Sequence, residues 1–185
     1  MSVLVDANLL LYALLQDVPE HEPARDWLTQ ALDDPDSSLG LSWPVLYAVA
    51  RLLSSRSVMG DAALGVPLAW SMADAFRRQP AVRMLDPGPR HATVVSTLAA
   101  TPGLTSRDVP DLYLAALAIE NGLVLATHDR GFARFGMLRW LDPITGDSST
   151  PSPPRCGLIR VHSPRLHGVS SPAVPRGPVA SSPRR

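Results

Sequence analysis

The segment 108–129, which reads DVPDLYLAALAIENGLVLATHD, constrains the fold more than any other part of the chain. Pro110 suits the first helical position, because the N–H that proline lacks would have no partner there. Apolar residues then recur at the spacing of one helical face, and Asn121-Gly122 ends the helix in the manner of a left-handed cap. The apolar run 123–126 is typical of a strand buried in a parallel sheet. The segment therefore predicts a helix–strand unit.

A carboxylate lies near each end of this unit, and a third follows the first apolar run of the chain. Asp111 falls in the first helical turn, Asp129 lies just past the strand, and Asp6 follows residues 2–5. In an open parallel sheet, ligands bind beyond the carboxyl ends of the strands, near the point where the strand order reverses. If the two strands are neighbours, the three carboxylates meet there. Oxygen ligands without His or Cys favour Mg²⁺ or Mn²⁺. The alternative, which remains open, is that each Asp only caps a helix.

Four segments of the chain carry a family resemblance: VDANLLLYA (5–13), SWPVLYAVARL (42–52), PDLYLAALAIENGLVLATHDRGFARF (110–135) and LRWLDP (138–143). Together they resemble the PIN-domain toxins of bacterial toxin–antitoxin pairs, in the VapC-type branch of the high-G+C actinobacteria. The resemblance runs through residues 2–144. It implies an α/β fold, a PIN-like three-layer α/β/α sandwich with a short parallel sheet of strand order 3-2-1-4-5.

The same resemblance implies a metal-dependent endoribonuclease, the toxin of a type II toxin–antitoxin system. It assigns Asp6, Asp111 and Asp129 as the catalytic residues that hold Mg²⁺ or Mn²⁺. It also implies a cognate VapB-type antitoxin as inhibitor, RNA as substrate and a homodimer. Thr127 precedes Asp129 by two residues, and the resemblance supports a hydroxyl there that orients a carboxylate or a metal-bound water. We group Thr127 with the residues of the substrate-binding region.

Two arginines are candidates for contact with RNA phosphate. Arg51 is the only charged residue of the helix predicted over residues 43–55. In a structural role, its side chain extends to solvent or pairs with a buried carboxylate. In a functional role, it approaches substrate phosphate or tunes the acidic site. Arg107 precedes the key helix in a polar loop, where it either contacts phosphate or is an ordinary exposed residue. Tyr113 either stacks on a base or packs within the fold.

The chain departs from the family pattern at two positions. Many PIN domains carry a glutamate on the helix after the second strand, but this chain has no acidic residue between Asp36 and Asp61. Gly131 stands where this branch often has a further acid. The alternative function is therefore a degenerate, catalytically weak PIN domain that binds antitoxin or RNA. A phosphatase or receiver-like domain would need a lysine, and all 17 basic residues of this chain are arginine.

Other patterns predict the remaining elements and several single residues. We expect Asp108 to cap the key helix, His91 to lie on the surface, and Asp86 to belong to a turn. Asp86 is excluded as a ligand because strand three would lie two strands, roughly 9–10 Å, from strand one. The further predicted strands span residues 38–42, 82–85 and 137–141. The further predicted helices span residues 20–32, 61–79 and 89–101.

Charge and composition divide the chain into residues 1–146, the PIN-like domain, and residues 147–185, a predicted disordered tail. The first part holds 11 Arg and 16 acidic residues; the second holds six Arg, one Asp and eight prolines. The tail is either an RNA-binding arm or a read-through extension without a function. Asp6 interrupts the first apolar run and no apolar run reaches spanning length, so we expect a soluble cytoplasmic protein without a membrane partner. The single cysteine, Cys156, excludes an internal disulfide.

Overall fold

The computed structural model describes residues 2–149. They contain a sheet of five parallel strands: Ser2–Val5 (β1), Ser38–Leu41 (β2), Val82–Met84 (β3), Val124–Ala126 (β4) and Trp140–Leu141 (β5). The strand order is β3-β2-β1-β4-β5, which confirms the predicted order. The order reverses between β1 and β4, so ligands are expected at the carboxyl ends of these two neighbours.

Seven α-helices connect the strands: Ala7–Leu14 (α1), His21–Asp33 (α2), Trp43–Leu53 (α3), Arg56–Met59 (α4), Val66–Arg77 (α5), His91–Leu98 (α6) and Val109–Glu120 (α7). Helix α1 contacts α2 and α3, α3 contacts α5, and α6 contacts α7. The connections between parallel strands are right-handed crossovers. Helices α1 to α5, which connect β1, β2 and β3 along the chain, therefore lie on one face of the sheet, and α6 and α7 lie on the other. The three-layer α/β/α sandwich predicted for the chain is confirmed.

The core lies on both faces of the sheet, because helices cover both. In β1 the last three residues are all at most 1% exposed, as expected for a central parallel strand. Large side chains fill the space between the layers; those fully buried include Leu4, Leu9, Leu10, Leu39, Leu41, Leu46, Leu117, Leu125, Phe132 and Phe135.

Helix α7 ends as the sequence predicts. Gly122 has a φ of +66°, the left-handed conformation that glycine adopts at little cost. Its N–H donates to the carbonyl of Ile119 (3.1 Å), and the N–H of Leu123 donates to that of Ala118 (2.9 Å). These bonds satisfy the last helical carbonyls and turn the chain directly into β4.

Two predicted boundaries are wrong. The helix expected over residues 61–79 starts only at Val66, with Pro67 in its first turn. The short helix α4 and a 3₁₀ turn, Gly60–Ala62, precede it, and Gly60 breaks the helical path with a φ of +56°. The last strand has two residues instead of the five expected over residues 137–141.

Contacts with the sheet continue as far as Ser149. Ser148 forms an antiparallel bridge with Leu141, and the N–H of Ser149 donates to the carbonyl of Trp140 (3.0 Å). The remainder of the predicted tail, residues 150–185, lies outside the described residues. Between residues 2 and 149, no helix has the length and hydropathy needed to cross a bilayer.

Candidate active site

Asp6 lies at the carboxyl end of β1 and also begins α1. Its Oδ1 accepts a hydrogen bond from the N–H of Ala7 (2.6 Å), so it does cap a helix. Its own N–H donates to the carbonyl of Ala126 (3.0 Å), which extends the pairing of β1 with β4. Burial raises the pKa of the Asp6 carboxyl, and the hydrogen bonds from Thr127 and Ala7 oppose that rise. The backbone therefore holds a carboxylate at the edge where the strand order reverses.

Thr127 fixes the other oxygen of this carboxylate. Its fully buried hydroxyl donates to Oδ2 of Asp6 (2.7 Å). Oγ1 of Thr127 in turn accepts from Nδ2 of Asn8 (3.1 Å) and from the N–H of Asp129 (3.0 Å). The hydroxyl thus joins the ends of β1 and β4 through three hydrogen bonds. Sequence reasoning did not assign Asn8 a role, although its place two residues after Asp6 in the VDAN motif was the available signal.

Asp129 follows β4 and faces the same edge. It is exposed, and its Oδ1 accepts a hydrogen bond from the N–H of Gly131 (2.6 Å). This bond starts the 3₁₀ helix Arg130–Arg134. As with Asp6, capping a helical turn and standing at the candidate site are compatible roles of one carboxylate.

Asp111 is the third carboxylate, in the first turn of α7. Within residues 2–149 its side chain accepts no hydrogen bond. Its pKa is raised to about 6, first by burial and then by the negative charges of Asp129 and Asp6. Arg134 acts in the opposite direction. The three predicted residues are therefore near enough to interact electrostatically: the charge of Asp129 contributes to the raised pKa of both Asp6 and Asp111.

The donor set suits a hard divalent cation, because all three residues offer carboxylate oxygens and such an ion would offset their repulsion. As they stand, however, no three metal-ligating side chains in the described part of the chain are close enough together to enclose an ion. Of the three, Asp111 is the carboxylate that accepts no hydrogen bond within residues 2–149.

The cleft at this edge has acidic and apolar walls. Asp6 and Asp111 face it, and the opposite wall is formed by α3 through Pro44, Val45 and Ala48. No acidic side chain comes from α3, as the sequence predicts. Tyr113 also lines the cleft, half-buried, and its ring meets that of His91 edge to face at a centroid distance of 5.3 Å.

His91 is a correction. We expected a surface residue, but its side chain is only 13% exposed, and its ring lies against Tyr113 with Nδ1 3.4 Å from the carboxylate of Glu120. The reason is tertiary. Glu120 accepts hydrogen bonds from the N–H groups of Gly88 (3.1 Å) and Arg90 (2.9 Å), which draws the start of α6 onto the end of α7.

The two predicted arginines differ in position. Arg107 is exposed in the 3₁₀ turn Ser106–Asp108, four residues before Asp111, and so lies next to the cleft. Arg51 is exposed in the last turn of α3, about 12 Å along the helix from its start at Trp43. Neither joins an ion pair with the residues described, so the interpretation of Arg51 as half of a buried pair is wrong.

Asp108 stands at the N-cap position of α7, as predicted, and it leads to a residue that the sequence analysis missed. Its side chain, however, makes no capping bond to α7. Instead it accepts from the N–H (2.6 Å) and hydroxyl (2.9 Å) of Thr105 and forms an ion pair with Arg134. Arg134 is thus drawn toward the acidic edge. No local pattern signals this contact, because the two partners are 26 residues apart.

Comparison with known proteins gives one consistent family. The family model described as PIN domain matches residues 3–138. Ribonuclease VapC43 of Mycobacterium tuberculosis is 38% identical over 144 residues, which is 78% of this chain and 97% of that protein. Ribonuclease VapC33 of the same organism is 34% identical over 146 residues, 77% of this chain and 98% of that protein.

Solved structures agree in fold. The VapBC2 complex of Rickettsia felis, bound to a DNA fragment from its promoter, matches with a TM-score of 0.57 at 19% identity, over 76% of this chain and 97% of that one. VapC20 of M. tuberculosis, described as a toxin that cleaves the sarcin–ricin loop, matches with a TM-score of 0.54 at 18% identity. That match covers 71% of this chain and 92% of the other.

Proposed function

Because the chain belongs to the PIN-domain family and is of the VapC type, we propose that it is a ribonuclease toxin that cleaves RNA by metal-assisted hydrolysis in the cytoplasm. The observation that carries this proposal is the convergence of three carboxylates on one edge of the sheet. Burial, followed by the negative charges of Asp129 and Asp6, raises the pKa of Asp111 to about 6. Such an unbalanced cluster of acids is typical of a site built to receive a cation.

Asp6, Asp111 and Asp129 would hold Mg²⁺ or Mn²⁺. When bound, the ion neutralises charge on the scissile phosphate and activates the water that attacks it. The chain prepares two of its ligands in advance: Thr127 fixes Asp6, and the N–H of Gly131 fixes Asp129. Thr127 acts through Asp6, since its buried hydroxyl has no surface for RNA to touch.

We assign RNA contact to exposed arginines around the cleft. Arg107 lies beside Asp111 and would bind a phosphate next to the cut. Arg51, two turns along α3, would contact the RNA farther from the cut. These charges are local, and they matter because the domain as a whole carries more acidic than basic residues.

The test is RNA cleavage by the full chain, purified free of antitoxin, with Mn²⁺ or Mg²⁺ present. Asp111→Asn should abolish cutting, and EDTA should do the same. Asp86→Asn is the matched control, because Asp86 also follows a strand at this edge but lies beyond β3, two strands from β1. It should cut at the wild-type rate. Mn²⁺ binding measured by calorimetry should weaken at least tenfold in Asp111→Asn only.

Cutting that survives EDTA, or that Asp111→Asn retains, would overturn the metal-dependent mechanism. A folded wild type that binds Mn²⁺ but cuts neither total RNA nor isolated tRNA and ribosomal RNA would instead support the degenerate, binding-only alternative.

We also propose a VapB-type antitoxin as partner. Support comes from relatives seen in complexes, including VapBC2 of Rickettsia felis and VapBC-1 of nontypeable Haemophilus influenzae. Co-purification with the candidate antitoxin, and loss of cleavage on its addition, would test this pairing.

A homodimer is the expected free form. Large apolar side chains are exposed on the helices α3 to α5: Tyr47 (59%), Val58, Val66 and Leu68. Exposed apolar side chains on neighbouring helices support an interaction surface there. Leu68→Arg should reduce the mass measured by light scattering to that of a monomer. Met137→Arg, a change at an equally exposed apolar residue outside this surface, should leave it unchanged.

A further inference from the structure

Arg134 brings a positive charge to the acidic edge, and its guanidinium is held in place. Nε donates to the carbonyl of Gly131 (2.6 Å), and Nη1 forms the ion pair with Asp108. Asp108 is itself anchored by the N–H and the hydroxyl of Thr105. The side chain of Arg134 is nevertheless 35% exposed. Two of its three nitrogens are thus fixed, and part of the group faces solvent.

The third nitrogen, Nη2, has no hydrogen-bond partner within residues 2–149 and points to the side of Gly131 that a side chain would occupy. A Cβ at Gly131 would lie 2.7 Å from Nη2 and 2.9 Å from Oδ1 of Asp129. The two atoms are therefore no more than about 6 Å apart, since both lie within 3 Å of one point. A phosphate oxygen near Asp129 would be within reach of this N–H group.

Gly131 is what makes this arrangement possible. Any side chain at this position would compete with the guanidinium for the same space. The absence of an acid here, a departure from the family pattern, therefore leaves room for a cation beside the proposed ligands. A guanidinium matches phosphate in geometry and charge, and one that is already held loses little freedom on binding.

We propose that Arg134 is a phosphate-binding residue that contacts the RNA backbone beside the scissile bond. This inference rests on the proposed function, in which RNA enters the cleft. The fixed positive charge lies beside Asp129, where Gly131 supplies no acid. Arg134 is then one reason why three carboxylates suffice.

The experiment measures binding of a labelled single-stranded RNA of mixed sequence in EDTA, so that binding is separated from cleavage. Fluorescence anisotropy of the full chain is followed from 50 to 250 mM salt. Losing one phosphate contact should make the slope of log K against log salt shallower by roughly 0.7 in Arg134→Ala. Affinity at low salt should fall roughly three- to tenfold, and Arg134→Lys should retain the slope because it retains the charge.

Arg130→Ala is the matched control. Arg130 belongs to the same 3₁₀ helix and also pairs with an aspartate, Asp147, but its side chain is 75% exposed and, within residues 2–149, makes no hydrogen bond or ion pair with Asp108 or Gly131. Affinity and slope should match those of the wild type. Gly131→Ala is the second variant, because φ at Gly131 is not positive and the added Cβ meets only the ends of two side chains. It should stay folded, displace the guanidinium and weaken RNA binding.

The proposal is overturned if Arg134→Ala lowers only the melting temperature and leaves RNA affinity and salt slope unchanged; Arg134 would then serve only to neutralise Asp108. A wild type that binds no RNA overturns it as well. If RNA binding depends on Arg134 but no RNA is cut with Mn²⁺ present, the proposed nuclease activity fails and the phosphate contact stands.

Discussion

At the residue scale, Asp111 is a carboxylate whose ionisation is disfavoured in the folded chain. Its pKa is raised from 3.8 to about 6 in the folded chain, so the native state binds this proton more tightly than the unfolded state does. The free energy of unfolding of the metal-free protein should therefore fall as pH rises from about 4 to about 6 and then level off. The side chain is partly exposed, which reduces the expected change to about 1 kcal/mol.

Asp111→Asn removes this titration. In EDTA, urea unfolding should find the variant about 1 kcal/mol more stable than the wild type at pH 7 and nearly equal to it at pH 4. Asp86→Asn should follow the wild-type curve over the whole range. An Asp111→Asn protein that is less stable than the wild type at pH 7 would mean that ionisation of Asp111 is not disfavoured in the folded chain.

Thr127 links stability to the site. Thr127→Val keeps the shape of the side chain but leaves Asp6, Asn8 and the N–H of Asp129 each without one hydrogen bond. The free energy of unfolding should fall by about 1–3 kcal/mol. RNA cleavage should fall as well, since Asp6 loses its orientation. Thr127→Ser keeps the hydroxyl and should recover most of both, whereas a Thr127→Val protein as stable and as active as the wild type would show that the hydroxyl does not matter.

The positions of Asp6 and Asp129 were predictable because a residue that ends a parallel strand has its place set by the sheet. Asp111 was predictable because Pro110 marks the start of its helix. Arg134 was not. Its position depends on Asp108, on the empty side of Gly131 and on the closure of a loop, none of which leaves a periodic pattern in the sequence.

At the element scale, the junction between α7 and β4 sets the position of Asp129. The turn depends on Gly122, whose φ of +66° is unfavourable for a side chain. Gly122→Ala should lower the free energy of unfolding by about 1–2 kcal/mol, measured by urea denaturation. Gly136→Ala is the control, because φ there is not positive and nothing lies within 4 Å of the added Cβ. Equal effects of the two variants would contradict the explanation.

Elements defined by local signals were easier to predict than those defined by partners. Helix α7 has a proline at its start, a glycine at its end and an apolar body, and it lies where expected. Helix α5 starts later than predicted because Gly60 adopts a positive φ that composition does not reveal. Strand β5 is short because its pairing with β4 covers only two residues, a property of the partner strand and not of the sequence around Trp140.

At the scale of the whole molecule, hydrogen bonds attach residues 147–149 to the folded domain. The carbonyl of Asp147 accepts from the N–H of Asp142 (2.7 Å), and Ser149 bonds to Trp140 through its N–H (3.0 Å) and through its hydroxyl, which accepts from the N–H of Trp140 (2.9 Å). These contacts cover the outer edge of β5, the last strand of the sheet. A chain cut at the predicted boundary of 146 would leave that edge open.

Chains ending at residues 146, 149 and 185 separate the two interpretations of the tail. Chain 1–146 should be about 1–3 kcal/mol less stable than 1–149, because it loses the bonds made by Asp147 and Ser149. Equal stability of these two chains would contradict this role of the segment. Chain 1–149 should match the full chain in stability.

The tail beyond 149 carries six arginines and no acidic residue. If it is an RNA-binding arm, its removal should make the salt dependence of RNA binding shallower by several units of slope; an extension without a function should leave both slope and cleavage unchanged.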